Sequence, residues 1–143
     1  MTAQTLATAP QTRAAASPSG TARQVWKTGA IAGVGASVAT FAFAAAARGI
    51  DVPLTVSGKS IPIVGFAQLT FVAAIIGTII AVTSLRAHRA HRMFLTVTFA
   101  LTAVSFVPDL LADAHTATKV ALMLSHVIAA AIVVPALASR LSD

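Results

Sequence analysis

The sequence predicts an all-α membrane protein, a four-helix transmembrane bundle with a short β-hairpin-like outer loop between its first and second helices. Three observations carry that expectation. Hydrophobic residues make up 57% of the 143 and charged residues only 10%, with a mean hydropathy of +0.85, whereas a soluble domain carries about 25% charged residues to keep its surface wet. Four charge-poor stretches follow one another, each near the roughly 20 residues that a helix needs to cross a hydrocarbon core of about 30 Å. The basic residues fall between these stretches, mostly on alternate connections, as the positive-inside rule requires.

The same composition narrows the function. A net charge of +6 and a pI near 11.6 suit nucleic acid in a soluble protein. Here the ten Lys and Arg are interleaved with apolar runs, and one Trp and no Tyr leave little for bases to stack on, so nucleic acid is not an expected partner. With no cysteine, disulfides, thiolate metal sites and thiol redox chemistry are excluded.

Residues 1–24, rich in Ala, Thr, Ser and Pro and holding Arg13 and Arg23, read as a disordered cytoplasmic tail ahead of a transmembrane domain over 25–141. The first span is expected at about 28–47, because Thr28 to Ala47 is 20 residues without a charge. A basic leader, an apolar run and Ala45-Ala46-Ala47 also resemble a cleaved signal peptide, but the run is longer than the usual signal core of about 7–15 residues. Gly29, Gly33 and Ser37 recur at intervals of four and mark a helix-packing face; small residues at that spacing let two helices approach closely, within the bundle or between two copies.

Between the first two spans, Val52–Val56 and Ser60–Val64 are β-prone runs joined by Ser57-Gly58-Lys59, so a small hairpin is expected over the bundle's end. Pro53 and Pro62 keep it short and irregular. The second span is expected at about 66–85, where Pro62 and Gly65 trim a longer charge-free run. The third, about 93–111, carries Asp109 near its end; the fourth, about 120–139, lies between Lys119 and Arg140. With the N-terminus inside, cytoplasmic segments hold Arg13, Arg23, Lys27, Arg86, Arg89, Arg92 and Arg140, and outer ones hold Arg48, Lys59 and Lys119. Both ends are therefore expected in the cytoplasm, with Trp26 as an interfacial anchor.

The order VWKTG, then ARGIDVPLTV, then GFAQLTFVAAIIGTIIA, then LTAVSFVPDLLADAHTATKVALMLSHVIAAAIVVPALASRL resembles domain-of-unknown-function family 6069, small four-span membrane proteins of bacterial, actinobacterial type. The likeness covers nearly all of Val25 to Leu141 and is most specific from Phe106 to Leu137. It implies a bacterial plasma membrane and the four-span topology. It implies no activity, cofactor or ligand.

Polar groups within a bilayer cost about 2.5–3.5 kcal/mol for a central charge on insertion scales, so each calls for a reason. Asp109 lies 17 positions after Arg92, about 25 Å above the inner boundary. His126 lies seven positions after Lys119, about 10 Å below the outer one. The two are thus expected at similar depth on adjacent antiparallel helices. With Asp113 and His115 they form a candidate polar cluster: Asp109, Asp113, His115 and His126. Such a group relays protons, binds a cation or grips a polar headgroup; alternatively, Asp113 and His115 cap helix ends and His126 holds two helices together. No metal site is read here, because the Asp-x-x-x-Asp-x-His spacing is not diagnostic. The inner-face basic loop Arg86, His88, Arg89, His91, Arg92 locks the topology or holds anionic headgroups.

No nucleophile paired with a base, no metal triad and no phosphate loop is legible, so no catalytic residue and no cofactor is assigned. The expected function is a non-enzymatic multi-pass membrane or accessory protein, partnered by the lipid bilayer and open to homo-oligomerisation. The alternative is a small transporter or proton-coupled carrier using the outer Asp/His cluster.

Overall fold

The structure is a computed structural model that describes residues 18–141. Four helices form the bundle: α1 (Pro18–Gly49), α2 (Ile63–Ser84), α3 (Ala90–Leu111) and α4 (Thr116–Ala138). All four are long and apolar enough to cross a membrane. At about 1.5 Å per residue, α2 to α4 measure about 33 Å against a core of about 30 Å.

The helix starts differ from the charge-counted expectations for a common reason: a charge near a helix end does not end the helix. α1 begins at Pro18, so residues 18–24 of the expected tail are helical, and the rest of that tail, 1–17, lies outside the described residues. Proline is well suited to a first helical turn, and Ala22, Arg23 and Gln24 are good helix formers. α4 begins at Thr116 rather than 120, because His115 caps it, its Nδ1 accepting from Ala117 N–H at 3.3 Å. Lys119 then lies inside α4 and donates from Nζ to the Leu110 carbonyl at 2.9 Å, satisfying a free carbonyl at the end of α3. Pro108 does not end α3, which continues to Leu111.

Between α1 and α2 the expected hairpin is present but short. β1 (Thr55–Val56) and β2 (Lys59–Ser60) pair antiparallel, with Thr55 opposite Ser60 and Val56 opposite Lys59. The two turn residues, Ser57 and Gly58, have φ of 49° and 73°, the pair of positive values that a tight two-residue hairpin demands. Among the contacts that hold the flap to the bundle, three stand out. Ser57 N–H donates to the Asp113 carbonyl at 2.7 Å, the Arg48 guanidinium donates to the Ile61 carbonyl at 2.8 Å, and Leu54, 1% exposed, plugs the end of the helices. At the opposite end Arg140 Nε donates to Thr28 Oγ1 at 3.1 Å, closing α4 onto α1 beside the α2–α3 turn.

The core is two apolar clusters with a hydroxyl layer between them. One cluster, at the terminal end, centres on Val25, Ala32, Ala36, Ala74, Phe94, Val133 and Leu137; the other, beneath the hairpin, is Ala44, Leu54, Phe66 and Ala121. Between them Thr40 and Thr70 meet at 3.0 Å, both buried. The small-residue face of α1 is spent inside the chain, on α2. A methyl added at Gly29 would stand 2.7 Å from Thr78 Cγ2, and one at Gly33 3.0 Å from Ala74 Cβ. Ser37 turns its hydroxyl back to the Gly33 carbonyl at 2.8 Å. Large apolar side chains such as Ile31, Val38, Leu69, Phe99 and Leu111 point outward, the reverse of a soluble protein and the surface that lipid requires.

Candidate functional site

α1 packs closely on α2 and α4, while α3 rests on α4 and touches α2 lightly. The residues facing each other across α2 and α3 are too small to fill the gap: Ala73, Gly77, Thr98, Thr102 and, on the α4 floor, Ala129 and Ala130. A cleft results. Its lower lobe has a volume of about 280 Å³ and its upper lobe, reaching Pro108 and Asp109, about 300 Å³. The lobes share Thr70, Ala73, Ser105, His126 and Ala129, so they are two parts of one groove. Along α4 the lining runs from Leu122 to Val134, about 18 Å at 1.5 Å per residue.

Asp109 and His126 stand where the two lobes meet the hairpin end. His126 Nδ1 lies 3.3 Å from Asp109 Oδ2 and 2.9 Å from the Leu122 carbonyl of its own helix. Two acceptors around Nδ1 place a ring proton on that nitrogen. The proton is directed at Leu122, for Asp109 Oδ2 is sealed from solvent and receives no hydrogen bond. Phe106 fixes the ring from the side, edge-on at 6.3 Å between centroids. Asp109 is only 8% exposed, yet it is among the residues lining the upper lobe.

The other two members of the expected cluster are not brought in. α3 stops at Leu111 and Ala112 is extended (φ −60°, ψ 140°), so the helical register that would stack Asp113 one turn beyond Asp109 is lost. Asp113 is exposed and uses its backbone carbonyl to hold Ser57; His115 is exposed and caps α4. Among the described residues no group of three or more His, Cys, Asp or Glu is placed to hold a metal ion. In the basic segment, Arg86, His88 and Arg89 form the exposed turn, while His91 and Arg92 belong to the first turn of α3.

What sequence reasoning passed over is the polar stripe that leads to Asp109. Thr98, Thr102, Ser105 and Asp109 recur at intervals of four, three and four, one face of α3, and all four line the cleft. Each hydroxyl gives its proton to its own helix: Thr98 to the Phe94 carbonyl at 2.8 Å, Thr102 to Thr98 at 2.8 Å and Ser105 to Thr102 at 2.6 Å. Ser125, across the cleft, does the same to Leu122 at 2.7 Å. The oxygens that face the groove are therefore acceptors whose donors are already used. The periodicity of this stripe is present in the sequence; taken one at a time, each Thr or Ser is a hydroxyl that its own helix can satisfy.

A family model described as "Family of unknown function (DUF6069)" matches residues 20–143. No curated protein and no solved structure matches the chain.

Proposed function

The chain belongs to the DUF6069 family, and from that premise we propose that it is a non-enzymatic, multi-pass protein of the bacterial plasma membrane whose α2–α3 cleft receives an apolar guest from the bilayer. The observation that carries this reading is the cleft itself, an underfilled, largely apolar groove in the side of a bundle whose α1 packs closely on α2 and α4. Its lobes sit at the lower edge of the roughly 300–1,000 Å³ of small-molecule sites, and it lies between helices of a bundle, where such sites recur. A groove that opens sideways is filled from the lipid phase.

Two features favour binding over chemistry. The hydroxyls beside His126 donate to helix carbonyls rather than to its ring, so none is set up as a nucleophile with an adjacent base. Among the described residues the one buried carboxylate, Asp109, lies near an end of its helix, two residues before Leu111, whereas a proton-coupled carrier works through a group near the midplane.

For orientation, both termini are assigned to the cytoplasm. Arg23, Lys27, Arg86, Arg89, Arg92 and Arg140 belong to the terminal end of the bundle and Arg48, Lys59 and Lys119 to the hairpin end, and the richer side is cytoplasmic by the positive-inside rule. Association with a second copy would have to use a face other than Gly29 and Gly33, which α2 already covers.

Native mass spectrometry of protein extracted in mild detergent tests the cleft. A co-purifying lipophilic species is expected on the native chain and is expected to vanish in Ala73→Phe/Ala129→Phe, which fills the groove. A native chain that emerges bare, or a filled variant that keeps its adduct, would sink the proposal.

A further inference from the structure

The lining of the cleft is chemically one-sided. Asp109 offers a carboxylate beside the His126 ring, and Thr98, Thr102 and Ser105 offer hydroxyl oxygens whose protons are bound to Phe94, Thr98 and Thr102 carbonyls. Every hydroxyl in this row has spent its proton on its own helix, and Asp109, nine-tenths buried as a residue, lines the upper lobe beside them. A row of acceptors in an apolar groove calls for a donor.

The polar row is also graded along the groove. Asp109 and His126 lie at the hairpin end, and toward Val134 the walls become Ile, Ala, Phe and Val. The 18 Å of lining compares with about 15 Å for one leaflet of a core about 30 Å thick. A head at Asp109 and a chain running down to Val134 therefore span a single leaflet, with the head at the depth where lipid headgroups begin.

Resting on the reading of the cleft as a binding site, we infer that its guest is a single-chain amphiphile of the hairpin-side leaflet whose head donates hydrogen bonds, an alcohol or a protonated primary amine, to Asp109 beside His126. The polar end chooses donors over charge, and the apolar end admits one chain. Heads that only accept, such as esters and ethers, meet like against like at Asp109 and are rejected, as a site built for a donor rejects the analogue that lacks it. An anionic head is disfavoured by the same carboxylate.

The experiment uses the full chain in nanodiscs and four photoreactive probes sharing one diazirine-bearing alkyl chain: a monoacylglycerol, its dimethyl ether, a primary alkylamine and the corresponding trimethylammonium. The diol and the primary amine are expected to label α3 and α4 at the cleft at least tenfold more than the ether and the trimethylammonium, and Asp109→Leu is expected to bring the four to parity. Equal labelling by all four in the native chain means an ordinary lipid tail and overturns the inference while leaving the cleft a binding site. Preference for both amines over both neutral probes means charge alone and overturns it too. No labelling at the cleft, or crosslinks to a second copy there, removes the binding site itself. The native-chain comparison stands without any variant, so a misfolded Asp109→Leu would not spare the inference.

Discussion

His126 Nδ1 stands 3.3 Å from Asp109 Oδ2 across α3 and α4, and the two nevertheless share no hydrogen bond. The ring proton goes instead to the Leu122 carbonyl 2.9 Å away. In a bundle held together by interhelical polar contacts, this pair is incomplete, and an incomplete pair responds to mutation differently from a structural one. His126→Leu takes no hydrogen bond from Asp109 Oδ2, which has none, and is expected to change stability by less than about 1 kcal/mol through that oxygen. Asp109→Leu removes the orphaned acceptor and is expected to stabilise the fold by about 1–3 kcal/mol with or without His126. Thermal unfolding of the single and double variants in detergent checks this; a costly His126→Leu that Asp109→Leu rescues would show a structural pair and contradict it.

The close approach of α1 and α2 depends on Gly29, not on glycine in general. A methyl at Gly29 meets the Thr78 side chain, while one at Gly35 meets nothing within 4 Å. Gly29→Ala is therefore expected to cost about 1–3 kcal/mol through overpacking. Gly35→Ala is expected to gain about 0.5–1 kcal/mol from helix propensity alone. Opposite shifts in melting temperature are the signature, and equal shifts would refute the packing argument.

Thr40 and Thr70 join α1 to α2 through the hydroxyl layer at 3.0 Å. Thr40 Oγ1 also lies 3.0 Å from the Ala36 carbonyl, so one hydroxyl proton satisfies the carbonyl and the other bridges the pair. A double-mutant cycle with Thr40→Val and Thr70→Val is expected to return a coupling of about 0.6 kcal/mol, the average for such bonds in membranes, and no more than about 1.7. A coupling of zero would mean that each threonine is satisfied by its own helix.

The hairpin is anchored by the Ser57 N–H on the Asp113 carbonyl, with Ser57 at φ 49° ahead of Gly58 at 73°. Ser57→Asn creates the Asn-Gly pair that this turn favours and is expected to stabilise by a few tenths of a kcal/mol. Ser57→Pro loses the N–H and cannot adopt a positive φ, so about 3 kcal/mol is the expected loss. Protection of the Ser57 amide from hydrogen exchange in the native chain provides the direct readout.

The absence of cysteine makes the assigned orientation simple to examine. Lys59→Cys on the hairpin and His88→Cys on the α2–α3 turn both place a thiol at an exposed position. An impermeant maleimide added to intact cells is expected to label Lys59→Cys at once and His88→Cys only after permeabilisation. The reverse order would invert the topology.

Read from residues alone, the bundle was legible because lipid imposes a length and a polarity that survive without tertiary detail. Four apolar runs of about 20 residues, separated by basic connections, leave few other arrangements. The level shared by Asp109 and His126 was legible too, since a fixed rise per residue converts counting into depth. Helix ends were less so: Lys119 and Asp113 looked alike as charges, yet one lies within α4 serving α3's last carbonyls and the other leaves helical register at Ala112.

The chain's sequence determined four helices, each long and apolar enough to cross a membrane, and brought one carboxylate and one imidazole to the same level of the bundle. Only the tertiary structure decided what they face. Whether α3 closes against α2 is a matter of side-chain volume summed across two helices 20 and more residues apart, and Ala73, Gly77, Thr98 and Thr102 fall short of filling it. Close packing is a property of neighbours, not of any one residue, and the cleft exists because these neighbours are small.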